Sequence, residues 1–345
     1  MDIVNEVFDT FIGDYVWAKL LPARPAPYEF PSATNVSAAQ AFSSWQYEPA
    51  TRFFSIEPGP AAYRSVWARD NICRQGINLF LITYIFGLLT YFGFSTLSYI
   101  FVFDKETMKH PKYLKNQIRL EMRQATSGMF GMALLTAPLF LAEVRGYSKL
   151  YDQTEAGPGL WYNVVQFPFF LLFTDFFIYW IHRGLHHRLV YKTLHKPHHR
   201  WIMPTPYASH AFHPLDGFAQ SVPYHAFPFL FPLQKPAYVA LFVFVNLWTI
   251  LIHDGEYVAD SPLVNGAACH TLHHLYFNYN YGQYTTLWDR LGGSYRRPNA
   301  ELFRRDQKTS GREWDKQVRE TEKMVTEVEG EDDRTYDPVD AKKND

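Results

Sequence analysis

The chain has 345 residues, with 33 Lys and Arg against 34 Asp and Glu, a net charge of −1, two cysteines and 18% aromatic residues. That balance excludes bulk attraction to nucleic acid, and two cysteines exclude a disulfide framework. Length alone allows two soluble domains, but long uncharged runs exclude an ordinary soluble protein.

Residues 1–70 read as a polar N-terminal segment with Trp17, Trp45, Tyr47 and Trp67 as candidate interfacial anchors. Asp2, Glu6, Asp9 and Asp14 stand where a secretory signal needs basic residues. Residues 71–160 read as a first transmembrane helix pair. Residues 77–103 carry no charged side chain and can span about 30 Å of hydrocarbon. Residues 125–142 form the second run, with Gly128, Gly131 and Ala133 as small packing faces. Between them lie Lys105, Lys109, Lys112, Lys115, Arg119 and Arg123 against three acids, which the positive-inside rule assigns to the cytosol.

Residues 161–300 read as the catalytic region. Its first apolar run, residues 160–181, is broken in charge only by Asp175. Residues 223–252 form another, carrying His225, Lys235, Pro228, Pro232 and Pro236, and fit a hairpin of two short or re-entrant helices. A single crossing there would put His270 on the wrong side of the membrane. Residues 301–345 read as a charged cytosolic tail, with a surface helix over 313–329 and a disordered end. Lys342 and Lys343 match a dilysine endoplasmic-reticulum retrieval signal. The expected fold is an all-α integral membrane protein of four or five membrane-embedded helices with a cytosolic histidine-rich metal-binding helical cap.

Thirteen of the 14 histidines fall between His182 and His274. Eight form three clusters: His182-Arg-Gly-Leu-His186, His195-Lys-Pro-His198-His199 and His270-Thr-Leu-His273-His274. Imidazole is the commonest nitrogen ligand of transition metals, and eight rings exceed what one four-coordinate zinc takes. Two ions sharing one site account for them. His182 and His186, four apart on a helix, share a face. His187 competes with His186 as ligand, and sequence does not separate them. Asp175 and Tyr179 lie on the same stripe, with Asp175 placed to support a ligating ring from behind. His213 and His253 are candidate further ligands or pocket-wall residues. His210 and His225 read as supporting or structural groups, and His110 as solvated. Cys269 adjoins His270 and reads as an inert thiol rather than a thiolate ligand.

Nitrogen ligands admit zinc, copper, iron or nickel. No Glu-x-x-His pair supports a ferritin-like carboxylate bundle, and no His-Glu-x-x-His supports a zinc protease. A metal site at the membrane surface suits a lipid substrate. If the reaction attacks an unactivated C–H bond it needs an O₂-derived oxidant, and on that condition iron is expected over redox-silent zinc.

The three clusters and the approach Asp175-x-x-x-Tyr179-x-x-His182 resemble the fatty acid hydroxylase and sterol desaturase superfamily. Leu194-His-Lys-Pro-His-His199, Thr205-Pro-Tyr-Ala-Ser-His-Ala-Phe-His-Pro-Leu-Asp-Gly217, Ile252-His-Asp-Gly-Glu256 and the stretch from Phe277 to Ser294 are similar to the sterol C-5 desaturases, most closely the fungal members. The resemblance covers about residues 165–345 and is weaker before that. It implies a two-iron enzyme of the endoplasmic-reticulum membrane that puts a C5–C6 double bond into a Δ7-sterol of the ergosterol pathway. O₂ and electrons from NADH or NADPH through cytochrome b5 and its reductase are implied with it. The family's eight box histidines map onto the eight clustered here. Under this reading Phe169, Phe170, Phe173, Phe176 and Trp180 wall the sterol, while Lys192, Lys196 and Arg200 can dock acidic cytochrome b5. The rivals are a fatty acyl or sterol-methyl hydroxylase on the same scaffold and a histidine-rich divalent-metal transporter. Transporters, however, ligate near the bilayer midplane.

Overall fold

The computed structural model describes residues 1–23, 45–258 and 261–336; the Lys342-Lys343 pair and the end of the tail lie outside them. The described chain is mostly helical, with almost no strand. In order come α1 (Asp2–Phe8), a π-helical turn (Asp9–Gly13), α2 (Asp14–Leu20), α3 (Ile72–Phe101), α4 (Gln117–Val144) and α5 (Tyr162–Leu185). A second π-helical turn (Tyr191–His195) leads into the one-turn α6 (Lys196–His199). Then follow α7 (Pro214–Leu230), α8 (Lys235–Ile252), α9 (Ala267–Tyr276), α10 (Leu287–Gly292), α11 (Arg305–Lys308) and α12 (Gly311–Val328).

Helices α3, α4, α5 and α8 are long and apolar enough to cross a membrane, so the protein is a multi-pass membrane protein. Helix α7 has 17 residues and rises only about 26 Å, short of the roughly 30 Å hydrocarbon core. Four residues separate it from α8. The beginning of α7 and the residue after α8 meet the same site, as an even number of passes requires.

The chain forms two compact units. The first comprises Met1–Gly87, Ala133–Asn163 and Pro228–Tyr238. Two of its N-terminal acids are buried and paired. Asp9 and Asp14 are 0% and 1% exposed and both bind Arg74 at 2.6 Å, while Arg69 reaches Asp14 at 2.5 Å. Buried carboxylates persist only when paired in this way. Trp17 is likewise a core residue rather than an interfacial anchor: its indole donates to Asn78 at 2.8 Å and packs on Trp67. Lys235, a charge inside an apolar run, binds Asp2 at 2.5 Å and the Ala50 carbonyl at 2.7 Å. A short parallel pair, β1 (Leu150–Tyr151) with β2 (Leu233–Gln234), completes the unit.

The second unit comprises Leu88–Met132, Val164–Phe227 and the chain from Val239 onward. Its small residues work as the sequence suggests: a Cβ on Gly128 would stand 2.7 Å from the Phe212 carbonyl oxygen. Its core joins Tyr191, Ile202, Met203, Leu272, Leu275, Tyr276, Phe277 and Val325. Helix α12 therefore packs onto the histidine-bearing segments. Its N-terminus is set by Ser310, whose hydroxyl accepts from the Glu313 amide. His110, expected in solvent, is 0% exposed, with Nδ1 accepting from the Lys112 amide and its ring edge-on to Trp314.

Candidate metal centre

Nine histidines of the second unit converge in two groups. His182, His186, His195, His199 and His273 form one, and His198, His253, His270 and His274 the other, with the ring nitrogens of each group within 4.8 Å of one another. The adjacent pairs divide as alternating side-chain directions require: His199 and His273 enter the first group, His198 and His274 the second. The groups touch, with the His199 and His274 rings 5.0 Å apart.

Helix spacing places His182 with His186, and His270 with His274, four residues apart on one face. Helix α5 ends at Leu185, and the chain beyond turns His187 outward, where its Nδ1 accepts from the Leu189 amide. His186 is thus the inward ring. His253, a secondary candidate from sequence, is a full member of the second group, its Nε2 2.9 Å from that of His270. His213 lies outside both groups at the start of α7, its Nδ1 accepting from the Leu215 amide. His210 binds Asn246 at 3.2 Å. Cys269 is buried, in neither group, and its carbonyl accepts from Asn280.

Proton positions in the cage follow from its hydrogen bonds. His182 Nδ1 lies 2.9 Å from the Tyr281 carbonyl oxygen, His273 Nδ1 2.7 Å from that of Tyr279, and His253 Nδ1 2.6 Å from that of Thr249. A carbonyl only accepts, so each Nδ1 carries the proton and each Nε2 presents a bare lone pair. His195 Nδ1 donates to the Asp216 carboxylate at 2.8 Å, so with the ring in its neutral, metal-binding form its Nε2 is bare as well. The Nε2 atoms of His182 and His195 nevertheless face each other at 3.1 Å. Two lone pairs at that distance repel unless a cation lies between them. Five Nε2 pairs within the groups stand 2.9–3.2 Å apart, as neighbouring ligands of one ion bound at about 2.1 Å would. The donor set fits a metal.

Burial first, and repulsion between neighbouring imidazoles second, hold His186, His198, His199, His270, His273 and His274 well below the ordinary 6.5. His253 is pushed down to about 3 by burial, against its bond to Thr249. These rings are neutral at physiological pH, the state a metal needs.

The support comes from places the sequence marks only in part. Asp175 does not back a histidine. It accepts from the amides of Gln283 (3.0 Å), Tyr284 (2.7 Å) and Thr285 (3.2 Å) and from the Thr285 hydroxyl at 2.5 Å. It pins the loop whose carbonyls orient His182 and His273. Asp289 holds the same loop through the amides of Tyr281 and Gly282, both at 2.8 Å. The loop leaves α9 through a γ-turn at Phe277, φ 58° and ψ −51°, closed by Asn278 N–H donating to the Tyr276 carbonyl at 2.6 Å. A Cβ on Gly282 would stand 2.4 Å from the Thr285 carbonyl oxygen, so only glycine fits there.

The carboxylate behind a ring is Asp216, within the Thr205–Gly217 motif but given no role by sequence reasoning; its place 21 residues beyond His195 carries no periodic signal. Tyr179 also misses the cage: its hydroxyl meets Ser294 at 3.1 Å and accepts from Arg183 at 2.6 Å. Of the aromatic wall candidates, Phe169, Phe170 and Phe173 pack around Phe227, Phe176 packs on Trp288, and Trp180 is 54% exposed. Lys196 is bound to Glu329 and Asp333 at 3.3 and 3.0 Å and is not a free docking charge; Lys192 and Arg200 are exposed.

The family model for fatty acid hydroxylase matches residues 167–294, the stretch that holds all nine converging histidines. The chain is 67% identical over 344 residues, the whole of both chains, to a probable Δ(7)-sterol 5(6)-desaturase of Neurospora crassa. It is 62% identical to a Δ(7)-sterol 5(6)-desaturase of Gibberella zeae over 97% of each chain. A Candida albicans protein of the same name is 47% identical over 97% of this chain and 99% of its own. No solved structure matches. Matched end to end at such identity, with its histidines gathered in the matched region, this chain belongs to the Δ7-sterol 5(6)-desaturase family within the fatty acid hydroxylase superfamily.

Proposed function

We propose that the protein is an O₂-dependent desaturase that introduces the C5–C6 double bond of a Δ7-sterol in ergosterol biosynthesis. It would use two iron ions, one in each histidine group, at the endoplasmic-reticulum membrane with the histidine clusters and C-terminus on the cytosolic side. The observation that carries the metal reading is the convergence of bare Nε2 lone pairs, those of His182 and His195 at 3.1 Å above all. The sterol reading rests on the named activity of relatives that match over their full length.

Bound iron supplies the redox chemistry by which O₂ attacks an unactivated C–H bond. The balance is fixed by the product. The sterol gives up one hydrogen from C5 and one from C6, O₂ accepts those two electrons and two more together with two protons from solvent, and two waters leave. The second electron pair fits NADH or NADPH through cytochrome b5 and its reductase, with exposed Lys192 and Arg200 as candidate docking charges.

The chain's own part is orientation and exclusion. Asp216 and the carbonyls of Tyr281, Tyr279 and Thr249 fix four rings with Nε2 inward. The cage is dry, His195, His199, His273 and His274 all being 0% exposed, which keeps water from quenching the oxidant. We assign Phe169, Phe173, Phe176 and Trp180 to contact with the apolar sterol body, and residues 161–300 to the catalytic domain. A rigid hydrocarbon of that kind is held by burial and shape rather than by polar contacts.

The test is product analysis in microsomes supplied with a Δ7-sterol. The new C5–C6 bond conjugates with the existing one, so a conjugated diene should accumulate with the unaltered chain, and the precursor with His273→Ala. A hydroxylated sterol without diene would point to the hydroxylase instead, and metal uptake without sterol change to a transporter.

A further inference from the structure

The segment after α12 packs against the metal centre. Beyond α12 the chain runs back across the second histidine cluster and ends, among the described residues, at Tyr336. Arg334 is buried in that run, and every N–H of its guanidinium is used. Nη1 donates to Glu329 at 2.9 Å and to Asp332 at 3.1 Å, Nη2 to Glu329 at 2.8 Å and to the His199 carbonyl at 2.9 Å, and Nε to the Arg200 carbonyl at 3.3 Å. Glu329, whose side chain is 0% exposed, also accepts from the Tyr191 hydroxyl at 2.9 Å and binds Lys196 at 3.3 Å. The Tyr191 ring lies 5.3 Å from that of His186 and 5.9 Å from that of His199.

The segment so held needs outside support. His198 and His199, one ring for each group, sit on α6, a helix of four residues entered through a π-helical turn. A single turn does not hold its shape alone. The last carbonyls of any helix lack partners within it, and a cation there opposes the helix dipole favourably. Arg334 supplies donors and charge together at the end of α6, from 135 residues away.

We propose that Arg334, locked by Glu329, is a positioning residue that caps α6 and fixes His198 and His199 for metal binding, making the C-terminal segment part of the metal centre. This rests on the metal reading above. Atoms that orient ligands from behind typically change metal affinity by about 10–100-fold when removed.

The experiment uses the full chain purified in detergent and loaded with ferrous iron. Iron retained per chain is measured against a series of chelator concentrations, alongside the thermal midpoint of the metal-free protein. The exposed Lys323→Ala serves as the control. Arg334→Ala is expected to lower the metal-free midpoint, because buried Glu329 loses a partner. At temperatures where the metal-free variant is still folded, it is expected to lose iron at about 10–100-fold lower chelator concentration; Arg334→Gln, which keeps a donor for the His199 carbonyl, should fall between. Retention equal to the unaltered chain in Arg334→Ala overturns the proposal. If Arg334→Ala does not fold, Arg334→Gln decides, and full retention there overturns it equally. An unaltered chain that holds no iron would instead overturn the metal reading itself.

Discussion

Replacing Asp216 with asparagine tests the cage at one hydrogen bond. Asp216 Oδ2 accepts from His195 Nδ1 and Oδ1 accepts from Gln220, both at 2.8 Å, and neither His195 nor Asp216 is solvent-exposed. The asparagine side chain would keep the shape but bring one acceptor oxygen to two donors. With that oxygen turned to Gln220, its amide N–H faces His195 Nδ1 and drives the ring proton to Nε2. The proton then points into the first group, toward His182 Nε2 at 3.1 Å, and one of five nitrogens there is lost as a ligand. The expected cost is about 10–100-fold in iron retention, or roughly 1.4–2.7 kcal/mol. The assay is iron per chain against chelator concentration, with conversion of a Δ7-sterol measured in parallel. Retention and conversion both unchanged in Asp216→Asn would show that the His195 proton position does not matter, and the tautomer argument would fall.

Other outcomes follow from the same geometry. His253→Ala should abolish sterol conversion as fully as His270→Ala, whereas His187→Ala and His213→Ala should stay near the unaltered rate; a neutral His253→Ala would remove that ring from the second group. Gly282→Ala cannot fit beside the Thr285 carbonyl and should shift the Tyr281 carbonyl off His182, giving a folded chain poor in iron; normal iron content would contradict this. The metal-free protein should lose stability as pH falls. Its caged rings have folded pKa values well below 6.5, so below about that pH the unfolded chain binds more protons than the folded one. Stability is fully present above about 6.5 and declines toward the lowered values. A thermal midpoint that stays flat or rises on acidification would contradict the neutral cage.

The part of the site legible in sequence is the part written in helical period. Pairs four apart at His182 and His186, and at His270 and His274, announce a shared face, and the doublets His198-His199 and His273-His274 announce two destinations. The four apolar spans are legible for the same reason, since length and absence of charge are local properties. What is not legible depends on chain returning from far away. His253 and His213 look alike in sequence, and only the placement of α8 against α9 separates them. Asp175, seven residues before His182, suggests support for a ring by proximity. Its carboxylate instead serves three amides of a loop more than 100 residues on, and Asp216 takes the role behind the ring. The burial of Asp9 and Asp14 is not legible because their partners, Arg69 and Arg74, lie about 60 residues later.

The proposed chemistry requires these nine imidazoles to hold a pair of iron ions. Metal analysis of the purified full-length chain, loaded anaerobically with ferrous iron, tests it most directly. Two irons per chain are expected, with His182→Ala and His270→Ala each losing one or both. A chain that binds at most one ion, or that keeps both after loss of His182 and His270, would contradict it.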